Sequence, residues 1–199
     1  MTPLLPLHIP LMPYCQSKIK VFEKRYLDMV SQCLRSESQF VITQILTGSE
    51  IHDPSQSRQK IEFSEYGCLV QIKDFDHKDS LELLLEATQL VFIKDPVQNA
   101  DGLWESELEI LPFEDIKIDE HTHEHIVKLY DTLKQHPYLQ RQSLLPDTQN
   151  SIQLINFLCM WLPLNEIIRI KLIRSENTVI RAQNLFDALE SIEQDFSGF

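Results

Sequence analysis

The chain has 199 residues, 43% hydrophobic and 24% charged, a balance that supports one or two small folded domains and excludes wholesale disorder. With 30 acidic against 18 basic residues the formal charge is -12, and no basic cluster interrupts it, so approach to a phosphate backbone or an anionic membrane surface is opposed. The cysteines, Cys15, Cys33, Cys68 and Cys159, lie far apart without C-x-x-C spacing, which reads as buried thiols in a reducing cytoplasm rather than as a zinc site.

The opening MTPLLPLHIPLMPY is apolar, but it is broken by Pro3, Pro6, Pro10 and Pro13 and has no Lys or Arg ahead of it, so it makes a poor signal peptide. The next stretch, KVFEKRYLDMVSQCL (Lys20 to Leu34), begins like a strand and ends like a helix. Phe22, Tyr26, Leu27, Val30, Cys33 and Leu34 recur at helical spacing, which predicts one apolar face. Glu23 suits the positive end of that helix. Arg25 is either solvated or uses its planar guanidinium to tie the helix start to a neighbouring strand's carbonyls.

Strands are predicted at QFVITQI (Gln39 to Ile45), at GCLVQI (Gly67 to Ile72), and at SLELLLEATQLVFI (Ser80 to Ile93), the last as one long bent strand or two short ones. WESELEI has a period of two, with Trp104, Ser106, Leu108 and Ile110 facing one way and Glu105, Glu107 and Glu109 the other. The segments from Thr47 to Gln59 and from Asp95 to Gly102 read as surface loops.

After Pro112 the apolar period changes to that of helices. They are expected over His123 to Gln135, closed by Pro137, over Ser151 to Leu162, stopped by Pro163, over Asn165 to Arg174, and over Thr178 to Phe196. The last has a stripe through Val179, Ala182, Leu185, Phe186, Leu189 and Ile192. IQLINFLCMWLPL is too short for a membrane span and carries Gln153 and Asn156.

Chemistry-bearing motifs are sparse. Gly48, Gly67, Gly102 and Gly198 are too dispersed for a phosphate-cradling loop, and neither a G-x-S-x-G elbow nor a Cys-His nucleophile arrangement is present. DEHTHEH (Asp119 to His125) places His121 and His125 on one helical face, with Asp119 or Glu124 as conceivable further ligands. It is not H-E-x-x-H, and acidic residues at a helix start are explained by the dipole. The expectation is therefore no metal, no cofactor and no catalytic residue. The glutamate stripe reads as a solvated strand face, and Phe157, Met160 and Trp161 as core rather than an apolar ligand site.

Three stretches together resemble the Lon protease amino-terminal domain family. LPLHIPLMPYCQSKIKVFEKRY (Leu5 to Tyr26) is similar to its opening, a Leu-Pro-Leu strand followed by a Phe-Glu-x-Arg-Tyr turn into the first helix, matched by Phe22, Glu23, Arg25 and Tyr26. In YGCLVQI, Gly67 and Ile72 sit as in the family's Gly-x-x-x-x-Ile strand. LINFLCMWLPLNEIIRIKLI resembles its helix ending in Leu-Pro-Leu before the next helix. The chain departs from the pattern at Lys24, a frequent proline, at Tyr14, a common glycine, and in LEATQLVFI, which keeps Phe92 but lacks the family's glycine and arginine.

The resemblance implies an α+β fold, a PUA-like β pseudo-barrel over residues 1–117 followed by a C-terminal helical bundle over 118–199. Phe22, Glu23, Arg25, Tyr26 and Gly67 are implied as fold-defining residues. It further implies a free-standing, non-catalytic cytoplasmic module, without ATPase or peptidase parts, that recognises unfolded or damaged polypeptide or another protein in proteolysis or quality control. No nucleic acid or membrane partner is expected. The alternatives are RNA or nucleotide binding through the PUA-like sheet, which the charge opposes, and a metal-dependent hydrolase at His121 to His125.

Overall fold

The computed structural model describes residues 1–50, 61–77, 80–135 and 144–197, with side chains up to residue 190. The chain forms two compact units, Met1–Leu111 and Pro112–Phe199, in a mixed α+β fold.

The first unit has six strands and one helix: β1 (Thr2–Leu7), β2 (Gln16–Val21), α1 (Lys24–Ser36), β3 (Phe40–Thr47), β4 (Glu62–His77), β5 (Leu81–Gln98) and β6 (Trp104–Ile110). The strand order is β2-β5-β4-β3-β1-β6, and β6 pairs back onto β5. Five strands therefore close into a ring. β5 makes this possible through its length, since Leu81 to Glu86 pair with β2 while Val91 to Gln98 pair with β6. All pairings are antiparallel except β1 with β3, whose crossover runs through β2 and α1, as a parallel pair requires a long connection.

Closure buries a core around Leu4, Val41, Val91 and Ile93, with Phe63, Leu69, Trp104 and Leu108 packed on it. Trp104 meets Phe63 edge-on at 5.3 Å. Phe40 to Thr43 are buried consecutively, so the first half of β3 has no wet face. Where β3 and β4 shift register beyond Thr43, the Thr43 hydroxyl lies 2.8 Å from the Ser64 carbonyl and 3.0 Å from that of Tyr66, which satisfies a buried polar group at the bulge. Gly67 faces Thr43 and Val91. A β-carbon there would stand 2.5 Å from Val41 Cγ1 and 2.8 Å from the Ile42 carbonyl oxygen, so the close strand approach requires glycine.

The helical unit contains α2 (Glu120–Leu133), α3 (Ser151–Trp161), α4 (Glu166–Ile173) and α5 (Thr178–Ser197). Each starts on an acid or amide side chain that accepts a backbone N–H. Asp119 accepts from Thr122, Asn150 from Gln153, Asn165 from Ile168 and Asn177 from Ile180, at 2.9 to 3.1 Å. Arg181 is fully buried: its Nη1 donates to Asn156 Oδ1 at 2.8 Å, its Nε donates to the Leu172 carbonyl at 3.1 Å, and its guanidinium lies 4.0 Å from the Phe113 ring centroid. Arg169 Nη1 donates to the Cys159 carbonyl at 2.7 Å. The two arginines thus bind carbonyls of α3 and α4. The entry segment is strapped to this unit too, since Glu114 bridges to Asn177 and Thr178 Oγ1 donates to Asp115 Oδ1 at 2.7 Å.

Several local expectations are corrected. The region from Leu81 to Ile93 belongs to one strand that continues to Gln98, so Asp95 to Gln98 are not loop; a register shift between Lys94 and Val97 and a left-handed Asp95 (φ 46) absorb the polar segment. The strand from Gly67 to Ile72 extends in both directions as β4. α2 begins at Glu120, three residues before the apolar pattern, because Asp119 caps it. Phe22, Leu34, Ile110 and Val179 are exposed rather than inward-facing. Most of the expected loop from Thr47 to Gln59, and Pro137, lie outside the described residues, as does the side chain of Ile192. Tyr14, at a position where glycine is common in the resembled pattern, has φ 64, a left-handed conformation that glycine adopts without cost.

Candidate functional site

The turn FEKRY joins β2 to α1 and organises its surroundings. Glu23 is the N-cap of α1 by position, yet its side chain makes no cap hydrogen bond. The carboxylate instead meets Arg25 Nη2 at 2.9 Å, in a pair whose side chains are only 18% and 6% exposed. At the helix start the carboxylate is thus engaged in an ion pair rather than in a cap hydrogen bond. Arg25 Nη1 donates to the Gly102 carbonyl at 2.8 Å, on the tip of the β5–β6 hairpin, and its guanidinium lies 4.5 Å from the Tyr26 ring centroid. Gln98 Nε2 donates to the same carbonyl at 3.0 Å, and Gly102 itself has φ 79. One side chain therefore ties the helix start to a hairpin 77 residues away.

Tyr26 is buried in this corner. Burial pushes its phenol up to about 12; the Arg25 charge works against the rise, while Glu23 and Glu50 add to it. Gly67, the remaining motif residue, belongs to the β3–β4 approach already described. Burial also pushes the Cys159 thiol up to about 12, and all four cysteines are buried and unpaired with one another.

Beside the turn lies a recess of about 50 Å³, lined by Leu5, Pro6 and Leu7 of β1, Ile19, Lys20 and Val21 of β2, and Phe22, Glu23, Tyr26 and Glu50. It forms where β1 runs past the start of β6: Leu4 is opposite Trp104, and Leu5 to Leu7 pair only with β3. Across it, β2 pairs with β5 alone among the described residues. An apolar hollow thus adjoins a strand edge whose second row of N–H and C=O groups has no ladder partner among the described residues. Phe22 stands at the rim, 60% exposed. The volume suits the end of one apolar side chain and is far below the roughly 300–1,000 Å³ of small-molecule pockets.

The other candidates have separate fates. His121 and His125 stack on one face of α2 with ring centroids 4.2 Å apart, whereas His123 turns to Ser151, its Nδ1 2.8 Å from Oγ. Among the described residues no group of three His, Cys, Asp or Glu side chains converges. In the glutamate stripe Glu109 pairs with Lys94 at 2.7 Å. Phe157 and Met160 are buried, and Phe157 meets Tyr130 edge-on at 5.8 Å, so this patch is core. Sequence reasoning missed Arg169, Arg181 and the Gly102 contact. Arg181 had a signal in its spacing, three residues after Thr178 and four before Leu185, both buried, but its charge reads as solvent-facing.

Comparison with known proteins agrees with this architecture. No curated protein matches the chain. Among solved structures, it is similar to a Lon N-terminal domain protein from Xanthomonas campestris, with a TM-score of 0.68 and 25% identity over 94% of this chain and 96% of that one. The N-terminal domain of a Mycobacterium avium complex Lon protease shares the fold, with a TM-score of 0.58 and 14% identity over the same shares of the two chains. Residues 1–191 match the family of ATP-dependent protease La (LON) substrate-binding domains, and the chain belongs to that family.

Proposed function

We propose that the chain is a non-catalytic module that recognises unfolded or damaged polypeptide in cytoplasmic proteolysis or quality control, and that Glu23 and Arg25 of FEKRY are its structural brace, with Phe22 free to meet the polypeptide. The observation that carries this reading is the apolar recess beside the unladdered edge of β2. An extended backbone pairs with such an edge whatever its sequence, while the recess takes an apolar side chain. Unfolded chains offer both along their length, whereas folded ones have most of their backbone paired and most of their large apolar side chains buried. The net charge of -12 supports this over RNA binding, and the recess itself is too small for a nucleotide. No described helix is long and apolar enough to cross a membrane.

The test is a fluorescence-anisotropy titration of a labelled, permanently unfolded protein against the purified chain, repeated with Phe22→Ser. The expected affinity is in roughly the micromolar range of small transient interfaces. Phe22→Ser weakens binding without moving the unfolding midpoint, because the ring is already exposed. Failure to bind, or preference for RNA that survives moderate salt, overturns the proposal.

A further inference from the structure

We propose that His121 and His125 form a two-imidazole chelate for a divalent ion of the copper and nickel class, held in two cis positions with water completing the shell. This is independent of polypeptide recognition and runs against the sequence expectation of no metal. The residues sit one turn apart on α2, so their side chains share a face. Both are exposed, and their ring centroids are 4.2 Å apart at 53°.

That separation selects the geometry. A nitrogen–metal bond of about 2.0–2.1 Å puts each ring centroid roughly 3.2 Å from the ion. Two such centroids stand roughly 4.5 Å apart at a right angle and roughly 5.2 Å apart at the tetrahedral angle. The observed 4.2 Å lies nearer the right angle, which square-planar and octahedral ions use. His125 also meets Phe186 edge-on, with ring centroids 6.4 Å apart.

Charge and ligand count define the type of site. The helix start disfavours a cation, but Asp119, Glu120 and Glu124 lie in the same turns and the chain carries -12. Asp119 is engaged as a cap, accepting from Thr122 N at 2.9 Å and Thr122 Oγ1 at 2.6 Å, and no third protein ligand joins the pair among the described residues. Water therefore fills the remaining positions, which makes an exchangeable surface site rather than a closed structural one.

Nickel(II) chloride alone is the probe, since it leaves thiols unoxidised. Calorimetry of the intact chain is expected to show one saturable ion per chain, with paramagnetic broadening in NMR spectra centred on the His121 and His125 rings. His121→Asn and His125→Asn each weaken binding by at least about tenfold, because a single imidazole loses the intramolecular second bond; His123→Asn leaves it unchanged. An unaltered urea midpoint confirms that each variant is folded. Undiminished binding in the first two variants, broadening centred on His8 or His77, or zinc binding tighter than nickel overturns the assignment.

Discussion

Replacing Arg25 by Met removes two charge-assisted contacts in one step and tests the brace directly. The Gly102 carbonyl keeps its hydrogen bond from Gln98 Nε2 at 3.0 Å, so that end of the contact is only partly lost. The Glu23 carboxylate, 18% exposed, is left with its charge and without its cation. Breaking a fully buried pair costs about 3–5 kcal/mol and a solvated one below about 1 kcal/mol. This pair lies nearer the buried limit, and the expected loss is about 2–3 kcal/mol. Glu23→Gln keeps a neutral acceptor and loses less, about 1–2 kcal/mol, and the double variant should show a coupling of about 1–2 kcal/mol. Because Trp104 and Trp161 fall in different units, a Trp161→Phe background leaves fluorescence that reports the β unit alone. With an m-value near 2 kcal/mol/M, Arg25→Met moves the urea midpoint down by about 1 M. Polypeptide binding measured well below the midpoint should persist. Lost binding with an unmoved midpoint, or a coupling near zero, refutes the brace and makes the turn a recognition surface.

Gly67→Ala places a methyl 2.5 Å from Val41 Cγ1 and 2.8 Å from a backbone oxygen that has little room to yield, so urea unfolding should show a loss of about 1–3 kcal/mol; a loss under about 0.5 kcal/mol contradicts the close approach. Tyr26, raised to about 12 in the folded chain from an ordinary 10.0, favours folding while the phenol is neutral. That stability is complete below pH 10 and is lost as pH rises from 10 toward 12, because the unfolded chain ionises first. Tyr26→Phe should flatten this decline, and parallel pH profiles for parent and variant would show that burial does not hold the phenol neutral.

Local periodicity carried the elements whose two faces differ. In α1 the buried apolar residues, Tyr26, Met29, Val30 and Cys33, follow the helical spacing, and in β6 Ser106 is buried while Glu107 and Glu109 are exposed. The ends of β4 and β5 were illegible for a physical reason. Asp74 to His77 pair with Leu81 to Leu84 through backbone ladders while β4 exposes its side chains there, so no apolar period marks the strand. Phe22 shows the converse, since an apolar residue need not be buried where the chain turns between elements. The brace was half legible: the residue types at FEKRY suggested that Arg25 reaches a neighbouring carbonyl, but nothing local names Gly102 as its partner. Buried Arg181 and half-buried Arg169 of the helical unit escaped because charge outweighs position in a pattern reading, whereas in the fold Arg181 Nε and Nη1 and Arg169 Nη1 donate to carbonyl and amide oxygens.

The closed ring has a bearing on synthesis. β1 is made before the strands that enclose it, and its antiparallel neighbour in β6 pairs Thr2 with Ser106, which is made roughly 100 residues later, about 5–20 s at typical elongation rates. During that interval Leu4 and Leu5, both buried in the finished barrel, have no complete seat, and the strand edges at the eventual seam stay open. The nascent chain thus passes through a stage in which it presents the apolar, extended character of an unfolded client.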